Sequence, residues 1–273
     1  MRVYKTPAAP RTNIQRPEAG DILISPEDQT KFRSGVGMLL YLVKHSRPDI
    51  ANSVRELSKV ADGATKDHWN KLLRNIKFVL DTKYLALKMK PEWDKPIETN
   101  NGKPEWQNIF ESKCSMSATS DSEYNGDNQT RHSVFGWELY FMGALIAHKS
   151  KACRSVTLSS TEAEYYALSE VTKEVIFAKQ VLETMGIGLN LPIKINVDNV
   201  GAIYLAKNFS VSQNTKHIDI RRHFVREHQE DERINATFVR SEDNEADFLT
   251  KNTSEDTFLR HQSKLMQDVR TIK

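Results

Sequence analysis

Four acidic residues occupy places from which a mixed helix and strand fold would bring them together. Asp121, in TSDSEYNG, follows a strand-like run, and Asp198, in INVDN, follows the apolar alternation Ile193, Ile195, Val197. Glu164, in SSTEAEYYALSE, and Asp247, in NEADFLTK, fall in the first turns of two helical patterns. In parallel α/β sheets, ligands bind outside the carboxyl ends of the strands, where helices also begin. Two strand-end acids and two helix-start acids therefore point toward one place. Carboxylates without His or Cys ligands suit hard cations such as Mg²⁺ or Mn²⁺. Two such ions about 4 Å apart activate a water and stabilise the leaving oxygen in phosphodiester hydrolysis. Taken singly, each acid fits equally well as a turn residue or as a helix-start acid favoured by the helix dipole. It is the four-place arrangement that suggests chemistry.

SSTEAEYYALSE also contains Glu162 and Glu170, so the choice of Glu164 needs an argument. Glu164, Leu168, Val171, Val175, Ala178, Leu182 and Met185 follow one another at alternating steps of four and three, a single helical stripe. Six members are apolar and are expected in the core. A carboxylate heading such a stripe is costly unless it is paired or binds a cation. Glu162 runs instead with Tyr166, Ser169 and Lys173, a face expected to meet solvent. Ser159 and Glu162 also match the capping box, which gives Glu162 a local structural task.

The elements that must hold these acids begin after residue 112. Strands are expected at 115–120, 134–141 and 144–149, the last two joined by a Met142-Gly143 turn. A long helix follows over 160–185, ended by Gly186. Then come a strand at 193–197, a helix at 200–207, a basic stretch at 216–228, a strand at 236–239 and a last helix from about Asp243. Residues 31–90 read as a small helical unit. Val36, Leu39, Leu40 and Val43 form one stripe, Pro48 suits the first turn of a second helix, and Trp69, Leu72, Leu73, Ile76 and Val79/Leu80 form a third. Residues 1–30 read as extended or poorly ordered chain, and 91–112, rich in Pro, Asn and Trp, as a linker.

The composition is that of a globular chain: 273 residues, 38% hydrophobic, 27% charged, net charge +3. VGMLLYLV is the longest apolar run and is far too short to cross a bilayer, and the N-terminus has no signal-peptide core. Two cysteines, Cys114 and Cys153, make neither a disulfide framework nor a zinc spacing, which fits a reducing, intracellular setting, cytoplasmic or nuclear. The mild positive charge is compatible with nucleic acid.

SDSEYNGD, LSSTEAEYYALSE, VDNVGAIYLAKN, TKHIDIRRHFVRE and EADFLTK, in this order and spacing, resemble the ribonuclease H domain of copia-type retrotransposon polyproteins over residues 113–273. KTPAAP, FRSGVGMLLYLVKHSRPDIANSVRELSKV and HWNKLLRNIKFVLDTKYLALKM resemble the thumb and connection segment that joins reverse transcriptase to that domain. The resemblance implies a ribonuclease H-like fold, a five-stranded mixed α/β sheet with helices on both faces, preceded by a small helical segment. It implies cleavage of the RNA strand of RNA–DNA hybrids with two Mg²⁺ ions, or Mn²⁺, held by Asp121, Glu164, Asp198 and Asp247. It implies the hybrid, and the polymerase domain of the same polyprotein, as partners. The sequence departs from the family at Tyr124 and His148, where Trp is usual, at Asn125, where a small residue is usual, and at Ala152-Cys153. The loop RSEDNE carries no His, as in the copia type. No Asp-Asp pair occurs, so polymerase chemistry is not expected of this stretch, which looks like the C-terminal part of a longer polyprotein or a degenerate copy.

Contacts with hybrid phosphates are expected from Lys216, His217, Arg221 and Arg222, from Lys149 and Lys151 in HKSKACR, and from Arg131 and Ser133 in TRHSVFG. The same residues suit solvated surface or packing, and Trp93 and Trp106 suit base stacking or packing on a neighbouring domain. A non-catalytic nucleic-acid-binding remnant and a docking module are the competing readings.

Overall fold

A computed structural model describes residues 3–89, 114–208 and 216–271, with the side chains of 216–220 and 222 left out. The expected linker at 91–112, with Trp93 and Trp106, lies outside the described residues.

Helix α1 (Pro26–His45) starts where Ser25 accepts the Asp28 N–H and Pro26 takes the first helical position, ahead of the expected start at residue 31. It buries Phe32, Val36 and Leu39, whereas Leu40 from the expected stripe is exposed. At Gly35 an added Cβ would stand 3.0 Å from Leu72 Cδ2, so the glycine permits close approach to α3 (Lys66–Asp81). A 3-10 turn, Pro48–Ile50, leads into α2 (Ala51–Ser58). In α3 the buried apolar residues are Leu72 and Phe78, while Leu73 and Leu80 face out. The expected α3 stripe thus contained exposed members and omitted Phe78, a fully buried ring.

Residues 3–25 form no helix or paired strand apart from one bridge, Leu23 to Thr65, but they are not loose. Ile14 is buried and its N–H donates to Glu56 Oε2 at 2.7 Å, and Asn13 Nδ2 donates to Gly126 O at 2.9 Å. Asn252 Nδ2 donates to Thr12 O at 2.6 Å, and the Arg11 N–H donates to Asn252 O. The segment is held by residues distant in sequence, which its own composition could not indicate.

The main sheet has five strands: β2 (Met116–Glu123), β3 (Val134–Phe141), β4 (Ala144–Ala152), β5 (Ile193–Val197) and β6 (Ile234–Phe238). Their spatial order is β4-β3-β2-β5-β6, with β2–β3 and β3–β4 antiparallel and β2–β5 and β5–β6 parallel. The β3–β4 turn places Met142 and Gly143 at φ of 50° and 76°, the left-handed pair that a two-residue hairpin requires. Helix α4 (Ser160–Thr184) covers one face, burying Leu168, Val171 and Val175 against Ala118, Trp137 and Leu139. Each such side chain contributes about 1.5–3 kcal/mol. Ala178 and Leu182 are partly buried, and Met185, past the helix end, is exposed. Helices α5 (Val200–Lys207) and α6 (Lys216–Glu230) follow β5.

The expected last helix is broken in three: a 3-10 turn at Ser241–Asp243, α7 (Asp247–Thr250) and α8 (Glu255–Leu265). Asn244 is the reason for the first break. Its buried side chain donates to Ser120 O at 3.0 Å and to Asp121 Oδ1 at 3.3 Å, and its backbone leaves helical geometry at ψ 106°. Ser254 caps α8 separately by accepting the Thr257 N–H. Helix α7 lies on the sheet face opposite α4, seated over Gly136 of β3. A second core joins Phe32, Val36, Leu57, Leu72 and Phe78 to Leu145, Phe248, Leu249, Phe258 and Met266, so the chain end packs with the N-terminal helices. Short strands β1 (Leu85–Leu87) and β7 (Met266–Asp268) pair antiparallel at the same place.

Candidate active site

Strands β2 and β5 run parallel, so their carboxyl ends lie side by side; β2 runs three residues past the expected strand, which puts Asp121 inside it, two residues before its end, and Asp198 lies one residue past β5. Glu164 enters from the first turns of α4. Oxygens of Asp121, Glu164 and Asp198 all lie within 4.8 Å of one another. Asp247, at the start of α7, is outside that trio, and its Oδ1 forms an ion pair with Lys251 Nζ. It is close enough, however, to act on the trio by charge.

Two of the trio, Glu164 and Asp121, have identifiable supports. Glu164 Oε1 accepts both the N–H and the hydroxyl of Ser122, at 2.9 and 2.8 Å, while Oε2 is buried with no hydrogen-bond partner. Asp121 is 1% exposed and accepts from Thr250 Oγ1 on one oxygen and from Asn244 Nδ2 on the other. Burial, with the charges of Asp247 and Asp198 added, pushes the Asp121 carboxyl up to about 8, although Lys251 opposes this. Burial beside Asp121 and Asp198 drives Glu164 well above the usual carboxylate range. Asp247 is also raised by burial and by Asp198, against the pull of Lys251. A group of acids raised together is a set short of positive charge. Lys251 is correspondingly held more strongly protonated: burial opposes its charge, and Asp121, Asp247 and Glu123 more than offset that.

Glu162 stays at the cap. Ser159 Oγ accepts the Glu162 N–H at 3.1 Å, and Glu162 Oε2 accepts the Leu158 N–H at 2.7 Å, one residue earlier than the capping-box bond. The solvent-facing reading of its stripe is corrected, because Tyr166 and Ser169 are buried. Arg221 of α6 covers them, with its guanidinium 3.9 Å from the Tyr166 ring centre and Nη1 donating to Ser169 Oγ and Glu170 Oε1, both at 2.9 Å.

That contact ties Arg221, one of the expected phosphate contacts, into the fold. Ser133 is also withdrawn from the surface, since it is fully buried, its hydroxyl bonded to the Asn125 N–H and Thr157 Oγ1. Lys149 and Lys151 pair in register with Trp137 and Phe135, which puts them on the α4 side of β4, and Ser150 shares the Asp121 side. Lys149 lies 3.8 Å from Glu174, Lys151 is exposed, and Arg131 is exposed at φ 60°. The side chains of Lys216, His217 and Arg222 lie outside the described residues. Ser122, Glu123, Asn244, Thr250 and Lys251 belong to the site and were not picked from sequence. Their signal was position: all fall inside the two motifs that hold Asp121 and Asp247.

Strand order, with acids near the carboxyl ends of β2 and β5 and at the starts of α4 and α7, defines a ribonuclease H-like domain joined to a helical unit. The chain belongs to the copia-type retrotransposon Pol polyprotein family. It is 31% identical over 277 residues to the retrovirus-related Pol polyprotein from transposon RE2 of Arabidopsis thaliana, covering 97% of this chain and 18% of that polyprotein. It is 31% identical over 220 residues to that from transposon TNT 1-94 of Nicotiana tabacum, covering 81% of this chain and 15% of the relative. The chain thus spans less than a fifth of these relatives' length. A solved structure, LC11-RNase H1 isolated from compost by a metagenomic approach, is 13% identical with a TM-score of 0.38, over half of this chain and 91% of that one. No protein-family model matches the chain. No helix among the described residues is long and apolar enough to cross a membrane.

Proposed function

We propose that this chain is a metal-dependent endonuclease that cleaves the RNA strand of RNA–DNA hybrids. The observation that carries the reading is the carboxylate trio with its buried, unpartnered Glu164 Oε2. A compact set of hard oxygens, with an acceptor to spare and too little positive charge nearby, fits a divalent cation. Asp121, Glu164 and Asp198 would hold one Mg²⁺ or Mn²⁺, and Asp121 with Asp247 a second. Bound there, the ions would supply an activated water and charge stabilisation at the scissile phosphate.

The chain's own residues supply position. Ser122 fixes the Glu164 carboxylate through two hydrogen bonds, and Thr250 and Asn244 fix both oxygens of Asp121, so neither acid reorients when charge develops. Exposed Arg131 and Lys151 are candidates for gripping hybrid phosphates. An A-like minor groove presents 2′-hydroxyls, by which RNA is told from DNA. In the full-length polyprotein the helical unit would adjoin the polymerase domain.

The test is cleavage of labelled hybrid by the purified chain with Mg²⁺, comparing wild type with Glu164→Gln and Glu162→Gln. Activity is expected to be lost only in the first. Equal activity in the two variants refutes the site assignment. Salt-dependent hybrid binding with no metal-dependent cleavage selects the non-catalytic binding remnant.

A further inference from the structure

Lys251 stands in the site with no task in the scheme above. Its ammonium is seated on Asp247 Oδ1 and feels the field of Asp121. That is the side of the site where a second cation would sit. A further acid on this side is Glu123, two residues beyond Asp121 and on the same side of β2. Glu123 also acts on Lys251 by charge, without forming an ion pair with it among the described residues. Its Oε2 is buried and has no hydrogen-bond partner, and it is packed so closely that a Cβ added at Gly126 would lie 2.9 Å away. Arg55 and Lys59 are near and pair elsewhere, Arg55 through Nη2 with Glu56 at 2.8 Å and Lys59 with Glu56 at 2.8 Å and Asp127 at 3.2 Å, while Arg55 Nη1 is buried without a hydrogen bond to Glu123 or any other group. A buried acceptor left open is expensive to maintain in a folded chain. It makes sense if a cation visits it.

We propose that Lys251 is a resident counter-ion, seated at Asp247 and Asp121 in the metal-free chain and moved onto Glu123 when a divalent cation takes that seat. The lysine stem is long and flexible enough for the transfer. The exchange keeps the number of unpaired carboxylates low in both states, since Lys251 neutralises the seat when it is empty and Glu123 when it is filled. The inference rests on the reading that these acids bind a divalent cation.

The experiment is calorimetric titration of the full chain with Mn²⁺, without nucleic acid, for wild type, Lys251→Met, Glu123→Gln and the double variant. Lys251→Met is expected to tighten binding about tenfold, because no cation has to be displaced. Glu123→Gln is expected to weaken it about tenfold, because the displaced ammonium has nowhere to go. In the Lys251→Met background Glu123→Gln should change affinity by no more than about twofold. If Lys251→Met fails to tighten binding, or the Glu123→Gln effect persists undiminished in that background, the exchange is wrong and Glu123 contributes only general negative charge. Circular dichroism checks folding, and Lys251→Gln replaces Lys251→Met if the latter is unfolded. A coupled cycle in a chain that cleaves no hybrid overturns the nuclease reading alone. Additive effects in a chain that cleaves hybrid overturn this one alone.

Discussion

Gly136 offers a direct test of how the fold sets the site. It pairs with Asp121 across the β2–β3 ladder and lies under α7. A Cβ at position 136 would stand 2.6 Å from Leu249 Cβ, 3.1 Å from Thr250 Cγ2 and 3.4 Å from Ala246 O. Carbon atoms in contact sit about 3.5–4.0 Å apart, so roughly 1 Å of separation must open between β3 and α7. The obstacle is a Cβ fixed to backbone, and no rotamer change relieves it. Overpacking of this kind costs about 1–3 kcal/mol, which a folded domain survives. The site would suffer more, because α7 carries Asp247 and Thr250, and Thr250 holds Asp121. A misplacement of about 1 Å lowers catalysis roughly 100-fold. Gly136→Ala should therefore lower the urea midpoint and reduce Mg²⁺-dependent hybrid cleavage far more than the stability loss alone explains. Gly37 is the control. It lies in the interior of α1, exposed, with nothing within 4 Å of an added Cβ. Gly37→Ala should stabilise the chain by about 0.5–1 kcal/mol and leave cleavage unchanged. Equal effects of the two substitutions on stability, or full cleavage by Gly136→Ala, would refute the packing argument.

Stability of the metal-free chain should fall as pH rises from about 4 to about 8. In that window the folded state keeps a proton on Asp121, as it does in the same direction on Glu164 and Asp247, that the unfolded chain has released. The folded state thus binds more protons, and the slope is about 1.4 kcal/mol per pH unit for each carboxyl held protonated. Urea midpoints across the range check this; saturating Mg²⁺ should flatten the profile, and a flat profile without metal would count against it. Glu138 makes a separate case on β3. Burial, with Glu245 adding to it and the Tyr140 hydroxyl opposing, pushes its carboxyl up to about 8. Glu138→Gln should leave stability nearly unchanged below about pH 4, where the wild-type carboxyl is protonated in both states, and raise it increasingly from there to about pH 8, where the folded wild type must hold a proton that the unfolded chain has released. Parallel pH profiles for the two proteins would disprove it.

The sequence by itself carried the four acids, the Glu164 stripe, the β3–β4 turn and the extents of β3, β5 and α5, and the family motifs. These are local or periodic properties. An apolar period, a cap or a turn pair writes itself into neighbouring residues, so it can be read without knowing what lies across the core. Glu164 could be separated from Glu162 for that reason.

What remained for the tertiary structure was everything decided by a distant partner. Tyr166 and Ser169 look fit for solvent until Arg221 lies over them. Ser133 looks like a surface hydroxyl until Thr157 takes it. Residues 3–25 have no pattern of their own because Glu56, Gly126 and Asn252 hold them. Asn244 reads as one more polar residue in a helical run, and its bond to Asp121 breaks that run and turns α7 onto Gly136. Convergence of the carboxylates has the same origin: parallel pairing of β2 with β5, and the close seat of α7, bring together oxygens far apart in sequence. The raised Asp121 carboxyl, the open Glu164 and Glu123 oxygens and the seated Lys251 follow from that crowding, because burial and neighbouring charge act through space and leave no local pattern along the chain.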